Sequence, residues 1–127
     1  MAAIPVTVLV VDDDQDDLRK YSSLLTRWGF AVISAQSSLE AQEAVWSNAT
    51  ICLVLIAHSQ EIDGIELTRE LKAMKVNLVI LLHTIGPYLP LRPLRSAAVA
   101  VGVRRVLPKG DLLWLREELN LARALLE

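Results

Sequence analysis

Ile51 to Ala57, ICLVLIA, is an uncharged run of seven residues that stops abruptly at His58, Ser59, Gln60 and Glu61. A run this short, rich in branched side chains and bounded by polar residues, predicts a strand buried on both faces, the kind found in the middle of a parallel sheet. It is too short to span a bilayer. In an open α/β sheet, ligands and chemistry sit just past the carboxyl ends of the strands, so the residues from His58 to Glu61 stand where a site belongs.

The rest of the chain supplies the partners such a strand needs. Val6 to Val11 is β-branched and ends at Asp12, Asp13 and Asp14, which predicts a first strand with carboxylates at its exit. From Asp16 onward Leu18, Tyr21, Leu25 and Trp28 recur at helical spacing, and Gly29 marks the helix end. Phe30 to Ala35 predicts a second strand, and Ser37 with Glu40 three residues later predicts a capped helix reaching about Trp46. After strand three, Asp63-Gly64 reads as a turn pair before a helix through Ile65, Leu67, Leu71 and Met74. Leu78 to Leu82 predicts a fourth strand, bounded by Asn77 and by His83 and Thr84. Pro87, Pro90 and Pro93 leave only Arg95 to Val101 for a short fourth helix. Val103 to Leu107 predicts strand five, and Asp111 to Glu127 a long helix with Leu112, Leu115, Leu119, Ala122 and Leu126 on one face. Five strands alternating with five helices demand a doubly wound parallel sheet covered on both faces.

A length of 127 residues fits one domain spanning 1–127, with a core that needs no disulfide or metal staple. The 53% hydrophobic content excludes a disordered chain, and the net charge of −2 gives no reason to expect a nucleic-acid partner. The one cysteine, Cys52, falls inside the buried run and has no partner for an internal disulfide. That favours a reducing compartment. The start, MAAIPVTVLVV, lacks a basic segment and cleavage pattern of a signal peptide. Cytoplasmic location, with no membrane association, is the expectation.

Consecutive acids at a strand exit need compensation, because carboxylates within about 4 Å repel by about 4 kcal/mol at an effective dielectric of 20. A divalent cation or a lysine would supply it; alternatively Asp14 caps the first helix while Asp12 and Asp13 are merely solvated. Leu107-Pro108-Lys109-Gly110 brings an ammonium to the same edge of the sheet. VTVLVVDDD, a strand followed by Asp63-Gly64, and Lys109 at a strand end before the last helix together resemble the receiver domain of two-component response regulators. The resemblance covers nearly the whole chain. It implies a flavodoxin-like (CheY-like) five-stranded sheet of order 2-1-3-4-5 and a Mg²⁺-dependent aspartyl-phosphate at the end of strand three. Asp12 and Asp13 match the family's acidic pair, and Lys109 matches the lysine that contacts the phosphoryl group.

The pattern departs at the acceptor. Counting back from Asp63-Gly64 puts the family's phospho-accepting Asp at Ile56, and counting forward from the acidic pair puts it at Ala57; Ile51 to Gln60 contains no Asp or Glu. The Ser/Thr that follows strand four in the family maps to His83 or Thr84, and the aromatic switch position is Val106. A cation would find fewer oxygens here, so no cofactor is expected, with Mg²⁺ at Asp12 and Asp13 weak at most. Lys109 would then neutralise Asp13 or Asp12 directly. The expected function is a phosphorylation-independent pseudo-receiver without enzymatic activity. The alternatives are a phosphoryl acceptor using a residue such as His58, and a small-ligand-binding module lined by Asp12, Asp13, His58 and Lys109. His58 and His83 also read as hydrogen-bonded loop residues.

Trp114, Leu121 and Leu125 form a second apolar stripe on a helix whose first stripe faces the core, and Tyr88, Leu89, Leu91 and Leu94 add apolar side chains nearby. Large exposed apolar patches mark contacts with other chains. In receivers the fourth helix, fifth strand and fifth helix carry such contacts, which points to a protein partner or a homodimer. A C-terminal output domain in a longer protein is a further expectation from the resemblance.

Overall fold

In the computed structural model, which describes residues 5–86 and 92–126, ICLVLIA forms the central strand of a five-stranded parallel sheet. The chain order is β1 (Thr7–Val11), α1 (Gln15–Arg27), β2 (Ala31–Ala35), α2 (Ser38–Ser47), β3 (Ile51–Ala57), α3 (Gly64–Met74), β4 (Val79–Thr84), α4 (Arg92–Ala100), β5 (Arg105–Pro108) and α5 (Leu112–Leu126). The strands lie in the order β2-β1-β3-β4-β5, the doubly wound flavodoxin-like arrangement.

Alternation along each strand divides the core in two. Val8, Val10, Leu53, Leu55, Leu81 and Leu107 pack with Leu18, Tyr21 and Leu25 of α1 and with Leu115, Leu119 and Ala122 of α5. Leu9, Val11, Val54, Ile56, Ile80, Leu82 and Val106 face the other way, toward Ala41 and Val45 of α2, Leu67 and Leu71 of α3, and Ala98 of α4. The central strands are apolar on both faces because both faces are covered.

Side-chain caps fix several helix starts. Asp14 accepts from the Asp17 amide at 3.0 Å, and Ser37 from the Glu40 amide at 3.1 Å. Asp63-Gly64 is a helix start rather than a free turn: Asp63 Oδ1 accepts from the amides of Ile65 and Glu66. Three expected boundaries shift by more than one residue. Helix α4 begins at Arg92, three residues before the expected Arg95, because Pro93 falls in the first turn, where a missing N–H costs nothing. His83 and Thr84 belong to β4, where they pair with Leu107 and Pro108. Strand β5 starts at Arg105 rather than Val103; Val101, Gly102 and Val103 bond back to the end of α4, and Gly102 adopts φ +96°.

Candidate functional site

The carboxyl ends of β1, β3, β4 and β5 meet at one edge of the sheet. Val11 pairs with Ile56 and Ala57 pairs with His83, so the β3 residue level with Asp12 is Ala57. Parity gives the directions. Asp12 continues the alternation of Val8 and Val10, Ala57 that of Leu53 and Leu55, and His83 that of Leu81, all on the α1 and α5 side. Ile56 and Val106 face the opposite core.

Asp12 is 1% exposed, which rules out a merely solvated carboxylate. Its Oδ2 lies 2.8 Å from Lys109 Nζ, and its Oδ1 accepts from the Asp14 amide at 3.0 Å. Lys109 makes a second contact, 2.8 Å from Asp17 Oδ2 on the first turn of α1. One ammonium thus bridges a strand-end carboxylate and a helix carboxylate. Of the two acids expected to meet Lys109, it is Asp12 that does so; Asp13 instead accepts from the Ser59 hydroxyl at 2.8 Å.

Burial raises the Asp12 pKa above the usual carboxylate value, and the bond from Lys109 only partly offsets that. Burial alone would lower the pKa of Lys109, but its bonds to Asp12 and Asp17 outweigh this and hold it above its ordinary value. The buried Tyr21 phenol is likewise pushed up, first by desolvation. Its ring meets His83 edge-on at 4.8 Å between centroids and lies 5.9 Å from Lys109 Nζ.

The two histidines differ. His58 is a hydrogen-bonded loop residue: its Nδ1 accepts from the Gly64 amide at 2.9 Å, and burial lowers its pKa. His83 is a strand residue, 2% exposed, and burial followed by the nearby Lys109 charge drives its pKa down to about 3. The Thr84 hydroxyl donates to the His58 carbonyl at 2.8 Å and so ties β4 to the loop after β3. Ser59 also braces that loop, its hydroxyl oxygen accepting from the amides of Glu61 and Ile62.

Sequence reasoning did not single out Asp17 or Tyr21 for this site, and it placed Ser59 there only as part of the strand exit from His58 to Glu61. The signal for Asp17 was present: it sits four residues before Tyr21, so the inward stripe of α1 runs one turn past its apolar part. Among the residues expected at an interface, Leu121 and Leu125 are exposed, whereas Leu94 and Trp114 are half-buried and pack against the two cores. Tyr88, Leu89 and Leu91 lie outside the described residues.

A doubly wound sheet of this order, with acids after β1 and a lysine after β5, defines the class of receiver-like α/β domains. The profile of the family described as "Response regulator receiver domain" matches residues 8–112, and the chain belongs to that family. The transcriptional regulatory protein ZraR of Klebsiella oxytoca is 32% identical over 84 residues, 66% of this chain and 19% of that protein. The response regulator MprA of Mycobacterium sp. (strain KMS) is 33% identical over 81 residues, 64% of this chain and 35% of that protein. The chain therefore spans only a minor part of the length of these relatives. A response regulator receiver domain protein from Clostridium thermocellum superposes with a TM-score of 0.84 at 24% identity, covering 96% of this chain and 99% of the other. A Francisella response regulator receiver domain gives 0.83 at 20%, covering 95% and 98%.

The family implies Mg²⁺, and the donor set here fits it poorly. Asp12 is engaged by Lys109 and Asp13 by Ser59, and Ala57 offers no oxygen from its side chain. Among the described residues no three His, Cys, Asp or Glu side chains converge as a metal-binding group. No helix among them is long and apolar enough to cross a membrane.

Proposed function

We propose that this receiver domain is a cytoplasmic signalling module that works without phosphorylation, by binding a protein partner or itself, and is not an enzyme. The observation that carries the reading is Ala57. It is level with Asp12 on the side of the sheet that carries Lys109 and His83, where the family's acceptor carboxylate would stand, and it ends at Cβ. Ile56, the other candidate for that position, points into the opposite core and is fully buried.

The surroundings support the same reading. Lys109, whose role in the family is to meet the phosphoryl group, already bridges Asp12 and Asp17. Of the two candidates for the switch hydroxyl, Thr84 shares a face with Leu82 and Val106, but its hydroxyl is committed to His58 and Val106 carries no ring. The coupling of hydroxyl and aromatic ring lacks one of its parts. The surface built from α4, β5 and α5 remains as the means of output, with Leu121 and Leu125 exposed and Trp114 beside a cavity of about 290 Å³. Output domains elsewhere in a longer protein are part of this proposal.

The test is incubation with Mg²⁺ and acetyl phosphate followed by intact mass. Wild type is expected to gain no phosphate and Ala57→Asp to gain one. A stable phosphate on wild type that disappears in His58→Ala would establish the histidine acceptor instead.

A further inference from the structure

The charges of this chain are segregated along its length. No Lys or Arg occurs between Arg27 and Arg69, and no Asp or Glu between Glu70 and Asp111. The acidic segment includes α2, whose outward side carries exposed Glu40 and Glu43 together with two large apolar side chains, Leu39 at 65% and Trp46 at 84% exposure. Leu39 and Trp46 are seven residues apart, two helical turns, and so share one face. Lys75, beside Trp46, directs its ammonium to the carbonyls of Ala49 and Ile51. A tryptophan this exposed has no role in the core.

The basic segment builds the complementary shape. Between α4, β5 and α5 lies the cavity of about 290 Å³, lined by Val103, Val106 and Trp114 and by Arg95, Arg104 and Arg105. Its volume is at the lower limit for a small-molecule pocket and suits one large side chain. The buried Glu118 carboxylate stands 3.5 Å from Arg104 Nε and 3.4 Å from Arg105 Nε. These separations are ion pairs without good hydrogen bonds, and Arg104 Nε and Glu118 Oε2 keep no hydrogen-bond partner among the described residues. One acid against three arginines leaves the cavity cationic.

We propose that the occupant of this cavity is a second copy of the chain, which inserts Trp46 between the arginines while Glu43 and Glu40 meet their guanidinium groups. The inference rests on the α4–β5–α5 surface being an interface, and adds what fills it. A guanidinium suits both parts of the α2 face, stacking on aromatic rings and pairing with carboxylates. Helix α2 packs over β2 and β1, whereas the cavity lies against β5, at the opposite edge of the sheet. The contact is therefore heterologous: each molecule offers its cavity to one neighbour and its tryptophan to another, giving open chains or rings rather than a closed symmetric pair.

Sedimentation velocity over a range of concentrations tests this. Wild type is expected to grow in mass with concentration, less so in high salt. Trp46→Ala and Arg95→Glu, both at exposed positions, are each expected to weaken association at least about tenfold. A 1:1 mixture of the two variants is expected to form dimers and nothing larger, because the first keeps the cavity and the second keeps the tryptophan. A wild type that stays monomeric throughout overturns the inference, as does a mixture that fails to associate. Loss of association in Arg95→Glu with none in Trp46→Ala also overturns it, while leaving the α4–β5–α5 surface as an interface with a different occupant.

Discussion

Lys109 Nζ lies 2.8 Å from Asp17 Oδ2, so the lysine after β5 is tied to helix α1 as well as to Asp12. The bridge neutralises a carboxylate that is almost wholly buried. Lys109→Met removes the only charge compensation seen for Asp12 among the described residues and is expected to lower stability by about 3 kcal/mol at pH 7. The deficit should shrink on acidification, because protonated Asp12 needs no counter-ion. Urea unfolding at pH 7 and pH 5 measures both effects. Equal losses at the two pH values would mean that the lysine acts by packing alone.

Ala57→Asp puts a third carboxylate where Asp12 and Asp17 already share one ammonium. Without metal it is expected to cost about 1–3 kcal/mol. Millimolar Mg²⁺ should recover much of that in the variant and leave wild type unmoved. Thermal melts with and without Mg²⁺ provide the comparison; an unchanged variant would show that Lys109 keeps its hold on Asp12.

Acid stability follows from His83. Its pKa falls from 6.5 in the unfolded chain to about 3 in the fold. Between those values the unfolded state binds the extra proton, so stability falls as pH drops below 6.5, by about 1.4 kcal/mol per pH unit from this group. His83→Phe, which keeps a ring against Tyr21, is expected to flatten that slope and to change stability at pH 7 by about 1 kcal/mol or less, since Nε2 has no hydrogen-bond partner among the described residues. Denaturant midpoints from pH 4 to 7 give the slopes. Parallel slopes for the two proteins would refute the assignment.

Gly64 is required by close approach rather than by its dihedral angles. A Cβ there would stand 2.9 Å from Leu82 Cδ2 and 3.3 Å from His58 Nδ1, the atom that accepts its amide proton. Gly64→Ala is expected to lower stability by about 1–3 kcal/mol through overpacking, and to displace the loop after β3. A falling Tm accompanied by a shifted His58 imidazole resonance is the predicted signature; an unchanged imidazole would place the strain on Leu82 alone.

The sequence by itself determined the order of the ten elements, because apolar runs bounded by acids, glycines and capping residues are local signals. It also determined that no carboxylate stands between Ile51 and Gln60, whatever the rotation or register. The start of α4 was misjudged from Pro93, since whether a proline breaks a helix or opens it depends on the turn in which it falls. The tertiary structure alone decided the facing of the site. Ile56 and Ala57 are adjacent in sequence and equally apolar, and only the pairing of Val11 with Ile56 shows which of them stands beside Asp12. Only the packing of α1 on the sheet brings Asp17 to Lys109, across 92 residues of chain, counted as 109 less 17. The reason is physical: strand parity and helix caps are properties of neighbours along the chain, whereas a counter-ion is chosen by whichever charge the folded sheet brings within reach.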